Sequence, residues 1–207
     1  MANNYDNAAW FYDSLSRMVF GKAIINAQVY LLQYISPRSK ILVAGGGTGW
    51  ILEELTRVYP SGLKITYVEI SAKMMEISAK RKLGKNEVTF INSAVEGIDF
   101  PSDFDVILTP FLFDNFSHST AQNVFTHLNA ALNYNGLWLY ADFETTGKWW
   151  QKTLLKTMLL FFKLLCDIEA RQLADVKTLF KSANYTAINS ETFFGGFVRA
   201  TAYTRPS

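Results

Sequence analysis

Apolar residues recur along the chain in two rhythms. From about residue 5 to 35 they fall at helical spacing, with Ile24, Ile25, Leu31, Leu32 and Ile35 in register, until Ser36-Pro37 stops the helix. Short apolar runs then alternate with helical stretches. Lys40–Ala44 predicts a buried strand, Thr48–Tyr59 a helix, Lys64–Glu69 a second strand and Ser71–Lys82 a helix N-capped by the Ser71 hydroxyl. Strands follow at Glu87–Asn92 and Asp105–Thr109, a helix at Ser117–Leu132 and a strand at Leu137–Asp142. The tail changes rhythm: Tyr185–Phe194, Gly195-Gly196 and Phe197–Thr204 read as strand, turn, strand. Alternating strands and helices predict βαβ units, so the expected fold is α/β: a three-layer sandwich around a mostly parallel seven-stranded sheet with a C-terminal antiparallel hairpin.

Composition narrows the class. The chain has 207 residues, 49% hydrophobic and 18% charged, which fits one folded domain rather than a disordered segment. No linker or repeat divides it, so a single domain over 1–207 is expected: a helical cap (1–36), a core (40–145), an apolar helical insertion (146–184) and the hairpin (185–205). A formal charge of +2 gives no reason to expect a nucleic-acid footprint. The lone Cys166 forms no intrachain disulfide, the polar Met1–Asn7 lacks a secretory plan and no apolar run is long enough to span a bilayer. These features predict a cytoplasmic protein with a small-molecule substrate and no transmembrane segment.

The chemistry concentrates at Ile41-Leu-Val-Ala-Gly45-Gly46-Gly47-Thr48-Gly49-Trp50, where a buried strand runs through glycines into a helix. Bare Cα positions let the backbone turn tightly and approach a ligand, while the helix N-terminus offers unpaired N–H groups. A plain turn would avoid the entropic cost of so many glycines. Glycines at 45, 47 and 49 do not fit the dinucleotide fingerprint, whose third glycine is Trp50 here, and no Gly-Lys-Ser/Thr follows to make a Walker loop. Twenty-four residues after Gly45, Glu69 ends the second strand, where a carboxylate can accept both hydroxyls of a ribose.

With these residues the chain resembles the Rossmann-like class I S-adenosylmethionine-dependent methyltransferases, particularly those of quinone-biosynthesis type, over most of its length. The resemblance implies that Gly45, Gly46, Gly47 and Gly49 lie beneath the methionine portion of S-adenosylmethionine. It implies that Glu69 binds the ribose, that Ile70, Ser93, Ala94 and Val95 surround the adenine, and that Thr109, at the tip of the fourth strand, also binds the cofactor. Tyr5-Asp6 and Phe11-Tyr12-Asp13 resemble that group's N-terminal helix, which closes over the cofactor. Two positions depart from the pattern: Ala44 and Ala94 stand where the family usually has acids. These departures keep open a non-catalytic binder or scaffold, and the Gly45-Gly46-Gly47-Thr48-Gly49 run also resembles aminopropyl-transferring enzymes, whose several acids around the amine contrast with Asp114 amid Thr, Pro and Phe here.

Methyl transfer from a sulfonium demands positioning more than acid–base machinery, although a base helps when the acceptor carries a proton. Asp114, after the fourth strand, and Asp142, ending the fifth, are the candidates, each equally readable as a cap or loop acid. His118 and His127 lie nine residues apart on one helix and face opposite ways, and no other cluster suggests a metal site. Finally, Lys148, Lys152, Lys156 and Lys163 fall within an arc of about 80° on an otherwise apolar helix. The adopted reading is a lid over an apolar or aromatic acceptor; a homodimer interface through 148–165 and a membrane surface are the alternatives.

Overall fold

The computed structural model describes residues 5–166, 170 and 172–205. The polar stretch Met1–Asn4 and part of the expected insertion, residues 167–169 and 171, lie outside them. The expected N-terminal helix is divided. Gly21, at φ 58° and ψ −120°, separates α1 (Tyr12–Phe20) from α2 (Ala23–Leu32), a conformation open to glycine at little cost. Residues 5–11 approach α1 as hydrogen-bonded turns, with the Ala8 and Ala9 amides donating to the Tyr5 carbonyl.

The chain then alternates as the apolar rhythm predicts: β1 (Lys40–Ala44), α3 (Trp50–Val58), β2 (Ser61–Glu69), α4 (Ala72–Ser78), β3 (Lys85–Asn92), β4 (Phe104–Pro110), α5 (His118–Ala131) and β5 (Leu132–Phe143). After these come α6 (Trp149–Cys166), α7 (Val176–Ser182), β6 (Thr186–Phe193) and β7 (Val198–Thr204). The seven strands form one sheet in the order β3-β2-β1-β4-β5-β7-β6. The first five are parallel, and β7 runs antiparallel between β5 and β6. One face carries Ala27, Leu31, Ile51 and Leu55 from α2 and α3; the other carries Val124, Leu128, Val176 and Phe180 from α5 and α7. The α/β three-layer fold expected from the sequence is the fold observed.

This topology fixes the place of a ligand. Strand order reverses between β1 and β4, and the loops leaving their carboxyl ends diverge there to open a crevice. Ser71 caps α4 as expected, accepting a hydrogen bond from the Met74 amide at 3.2 Å.

Helix α6 departs from the lid reading. Its inner side packs Trp150 against Phe194 and Phe197, and Phe162 against Tyr5 and Tyr12. Its outer side does not leave lysines alone in water: Trp149, Leu160 and Leu164 are 79%, 61% and 77% exposed. The helix is one layer too far out to do otherwise, because residues 5–20 lie between it and the crevice. Among the described residues, no helix is long and apolar enough to cross a membrane.

Candidate functional site

A cavity of about 410 Å³ occupies the crevice. Its floor is the glycine turn. Gly45 and Gly47 adopt φ values of 69° and 63°, and the Gly45 and Gly46 amides both donate to the Val68 carbonyl, folding the loop back over β2. The glycines have different reasons to be glycine. A Cβ on Gly46 would lie 2.2 Å from the Tyr67 ring, and one on Gly45 would lie 2.7 Å from Leu112 Cδ1. A Cβ on Gly47 would meet only Met74 Sδ, at 4.0 Å. Its bare Cα therefore faces open space belonging to the cavity, a cradle for a closely approaching ligand. Gly49 is not in the cavity wall: it N-caps α3 with φ 75°, and a Cβ there would come within 2.5 Å of Ser78 Cβ on α4. It serves packing between the two helices.

Glu69 lies in the wall and is almost wholly buried. One carboxylate oxygen accepts the Gly47 amide at 2.8 Å and the other the Ser71 amide at 2.8 Å, so this side chain joins the glycine loop to the start of α4. Burial raises its pKa, against the opposing pull of the Ser71, Gly47 and Ile70 amides. Each carboxylate oxygen keeps a further lone pair for a hydroxyl donor. Tyr67 supports the same loop from below, donating its hydroxyl to the Gly47 carbonyl at 2.9 Å.

Ile70, Ser93, Ala94 and Val95 line the cavity as the sequence suggests, and so does Glu96, which sequence reasoning missed. Glu96 stands two positions beyond Ala94 and brings an exposed carboxylate to the end of the cavity where one is lacking. Ala44, the other departure, is fully buried in β1. Thr109 lies outside the wall: it is buried and accepts the Trp138 indole N–H at 3.0 Å beneath α5.

The N-terminal segment forms the roof. Tyr5, Tyr12, Asp13, Ser16 and Arg17 line the cavity, and α2 adds Ile24, Ile25 and Gln28. Three latches hold this strap. Asp6 accepts from the Ser71 hydroxyl at 2.6 Å and the Lys73 amide at 3.2 Å. Asp13 accepts from the Thr48 hydroxyl at 2.8 Å and pairs with Arg81 at 3.2 Å, while Arg81 also donates to the Thr48 carbonyl. Tyr5 donates to the Asn115 side-chain carbonyl.

The two aspartates expected at the reacting end do not line the cavity. Asp142 is buried, accepts the Phe113 amide at 3.0 Å and its neighbour Phe143's amide at 2.8 Å, and so fastens the loop after β4 to the end of β5. Burial pushes its pKa up to about 7 against the pull of the Phe143, Phe113 and Asp114 amides. Burial, and then the Asp142 charge, also raise the pKa of Asp114. Asp114 accepts from Asn115 Nδ2 at 2.9 Å, which orients the amide that holds Tyr5.

Comparison with known proteins agrees with this geometry. A family model described as a methyltransferase domain matches residues 41–136, from β1 through the start of β5. Malonyl-[acyl-carrier protein] O-methyltransferase of Bacillus cereus is 27% identical over 146 residues, 69% of this chain and 52% of that protein. The chain thus spans about half the length of the curated relatives it matches. Among solved structures, 1,6-didemethyltoxoflavin-N1-methyltransferase of Burkholderia thailandensis superposes with a TM-score of 0.68 at 15% identity, covering 95% of this chain and 84% of that one. Magnesium protoporphyrin IX methyltransferase of Synechocystis PCC 6803 gives a TM-score of 0.68 at 15% identity, covering 97% and 96%. Both carry bound S-adenosylhomocysteine, and at this identity they bear on the fold alone. Glycine turn, strand-end acid, sheet order and family match converge: residues 41–136 match a methyltransferase domain, and the fold around them is the one seen in solved methyltransferases.

Proposed function

We propose that the chain binds S-adenosylmethionine in this cavity and transfers its methyl group to a small acceptor. The observation that carries the reading is the junction of Glu69 with Gly47: a buried carboxylate beside a glycine whose absent Cβ leaves open space. In this reading the Glu69 oxygens accept the ribose hydroxyls, and Gly45–Gly47 pass beneath the methionine portion. Ile70, Ser93, Ala94 and Val95 enclose the adenine, and Glu96 accepts from its amino group in place of the acid missing at Ala94. Gly49 acts indirectly, by seating α3 against α4.

The cofactor supplies an electrophilic methyl on a sulfonium; the chain has to hold, orient and exclude water. The strap of Tyr5, Tyr12 and Asp13 does the excluding. Ile24, Ile25 and Phe111 offer an apolar wall, with Ser16, Arg17 and Gln28 as polar groups among them, which suits a small aromatic acceptor that carries polar substituents. Asp114 is proposed as a positioning residue that fixes Asn115 and thereby Tyr5, and Asp142 as the anchor of the same loop. The position of both aspartates outside the cavity favours one second reading: a protein that binds the cofactor without turning it over.

Calorimetric titration with S-adenosylmethionine tests binding. Glu69→Ala should weaken affinity about tenfold or more, since a hydrogen bond to a charged group contributes about 1.5–3 kcal/mol. Because Glu69 also braces the loop, a 2′-deoxy analogue separates the roles: it should lose affinity on the wild type and little further on the variant. Equal losses on both proteins would exclude a direct contact. Mass-spectrometric search for an acceptor that gains one CH2 separates enzyme from binder.

A further inference from the structure

We propose that the outer face of α6, together with Trp10, is a docking surface for an anionic lipid bilayer. At about 100° per residue, the exposed positions of α6 divide into two adjoining strips. Lys152, Lys156 and Lys163 make one edge; Trp149, Leu160, Leu164 and the partly exposed Phe161 make the other. Aromatic contacts carry the apolar strip onto the N-terminal segment. Phe161 lies 6.4 Å from Phe11, and Phe11 lies 4.9 Å from Trp10, whose indole is 82% exposed. Large apolar side chains exposed singly mean little, but a cluster of them on one helix face, with only Thr153 and Thr157 among them and one sign of charge along its edge, marks a contact surface.

Charge selects the occupant. No Asp or Glu occurs between Trp149 and Cys166, and among the described residues no carboxylate pairs with Lys152, Lys156 or Lys163. A two-fold contact between copies of the chain would set this face against itself, lysines included, with no acid on the helix to neutralise them. A bilayer with acidic headgroups satisfies both strips at once. The lysines reach the headgroups on their flexible stems, while indoles and leucines enter the acyl boundary of an interfacial helix that lies in the surface plane. None of these α6 residues lines the cavity, so the proposal stands even if the catalytic reading fails.

Co-sedimentation with phosphatidylcholine vesicles, with and without phosphatidylserine, tests the proposal on the whole chain. The protein should pellet with the serine-containing vesicles, and added salt should release it. Lys152→Gln with Lys156→Gln should lower the partition coefficient about thirtyfold, at about fivefold per lysine. Leu160→Ser with Leu164→Ser should lower it as well while leaving S-adenosylmethionine affinity and the unfolding midpoint unchanged. Failure to pellet with acidic vesicles, or pelleting indifferent to both double variants, would overturn the proposal. So would analytical sedimentation of a dimer that Leu164→Asp dissociates, since the face would then belong to a second copy.

Discussion

Gly46 and Gly47 are neighbours with opposite obligations, and substitution should separate them. Tyr67 fills the space beside Gly46, so Gly46→Ala must displace a buried ring that also bonds the Gly47 carbonyl. Among the described residues only Met74 Sδ, at 4.0 Å, comes near the space beside Gly47, and its φ of 63° disfavours a side chain at a cost of about 1–2 kcal/mol. Gly47→Ala should therefore fold with a modestly lower unfolding midpoint and lose S-adenosylmethionine affinity. Gly46→Ala should lose stability first. If thermal melts and calorimetry showed Gly47→Ala binding as tightly as the wild type, the cradle would have another purpose. Glu96 allows a sharper chemical test. A carboxylate facing an exocyclic amine accepts its hydrogen bonds, but it repels the carbonyl oxygen that replaces that amine in an inosine analogue. The wild type should prefer S-adenosylhomocysteine over S-inosylhomocysteine, and Glu96→Ala should lose much of that preference. A preference that survives the substitution would return adenine selection to the backbone around Ala94.

Elements were more legible than the site they build. Strand β1 was readable residue for residue, because a buried parallel strand is a continuous apolar run and its first glycine marks the end. Strand β5 begins at Leu132 rather than Leu137, because Asn133-Tyr-Asn-Gly136 reads locally as a turn. The ladder with β4 instead absorbs it by a register shift, with Asn135 at φ 60°. Helix α4 stops at Ser78, short of the expected Lys82, and Arg81 beyond it turns back to grip Asp13 and Thr48. The glycine turn and Glu69 were legible because each is a local motif. The roof was legible only through the family resemblance of Tyr5-Asp6 and Phe11-Tyr12-Asp13, since residues 5–28 meet the strand ends only in the folded chain. Nor does sequence position at a strand tip decide which way a side chain points, which is why Thr109 and Asp142 were placed at the ligand and lie outside its cavity. The roof carries its own prediction. Asp13→Ala removes the acceptor of Thr48 and one of two carboxylates beside Arg81, a part-buried pair worth about 1 kcal/mol to stability, with Glu53 still there to hold Arg81. The unfolding midpoint should barely move, while stopped-flow release of S-adenosylmethionine quickens several-fold. An unchanged release rate would mean that the strap does not gate exchange.

The stability of the whole chain should register the acid pair beneath the β4–α5 loop. Asp142 holds its pKa near 7 in the folded protein because burial penalises its charge more than the backbone amides reward it; an unfolded aspartate titrates near about 4. Between those values the native state keeps a proton that the unfolded state gives up. A raised carboxyl of this kind contributes stability that is complete below about pH 4 and is lost as pH rises through about 7. Asp114, raised by burial and by the Asp142 charge, works in the same direction. Glu144 works oppositely: partial burial pulls its pKa up, but Lys177 and Arg199 hold it below the usual value, so its contribution fades as the solution becomes acid. A wild-type profile alone would mix these terms, so the difference from a variant is the informative quantity. Urea unfolding of the wild type and Asp142→Asn across this range should show the wild type losing ground as pH rises from about 4 to about 7, by up to ~1.4 kcal/mol per pH unit, with the difference levelling off above it. The amide costs some stability at every pH, because its NH2 cannot accept the backbone donor that the carboxylate oxygen takes. That offset shifts the difference curve without changing its slope. Parallel profiles for the two proteins would show that Asp142 carries its charge in the folded chain throughout, and that the N–H groups of Phe113 and Phe143 outweigh its burial.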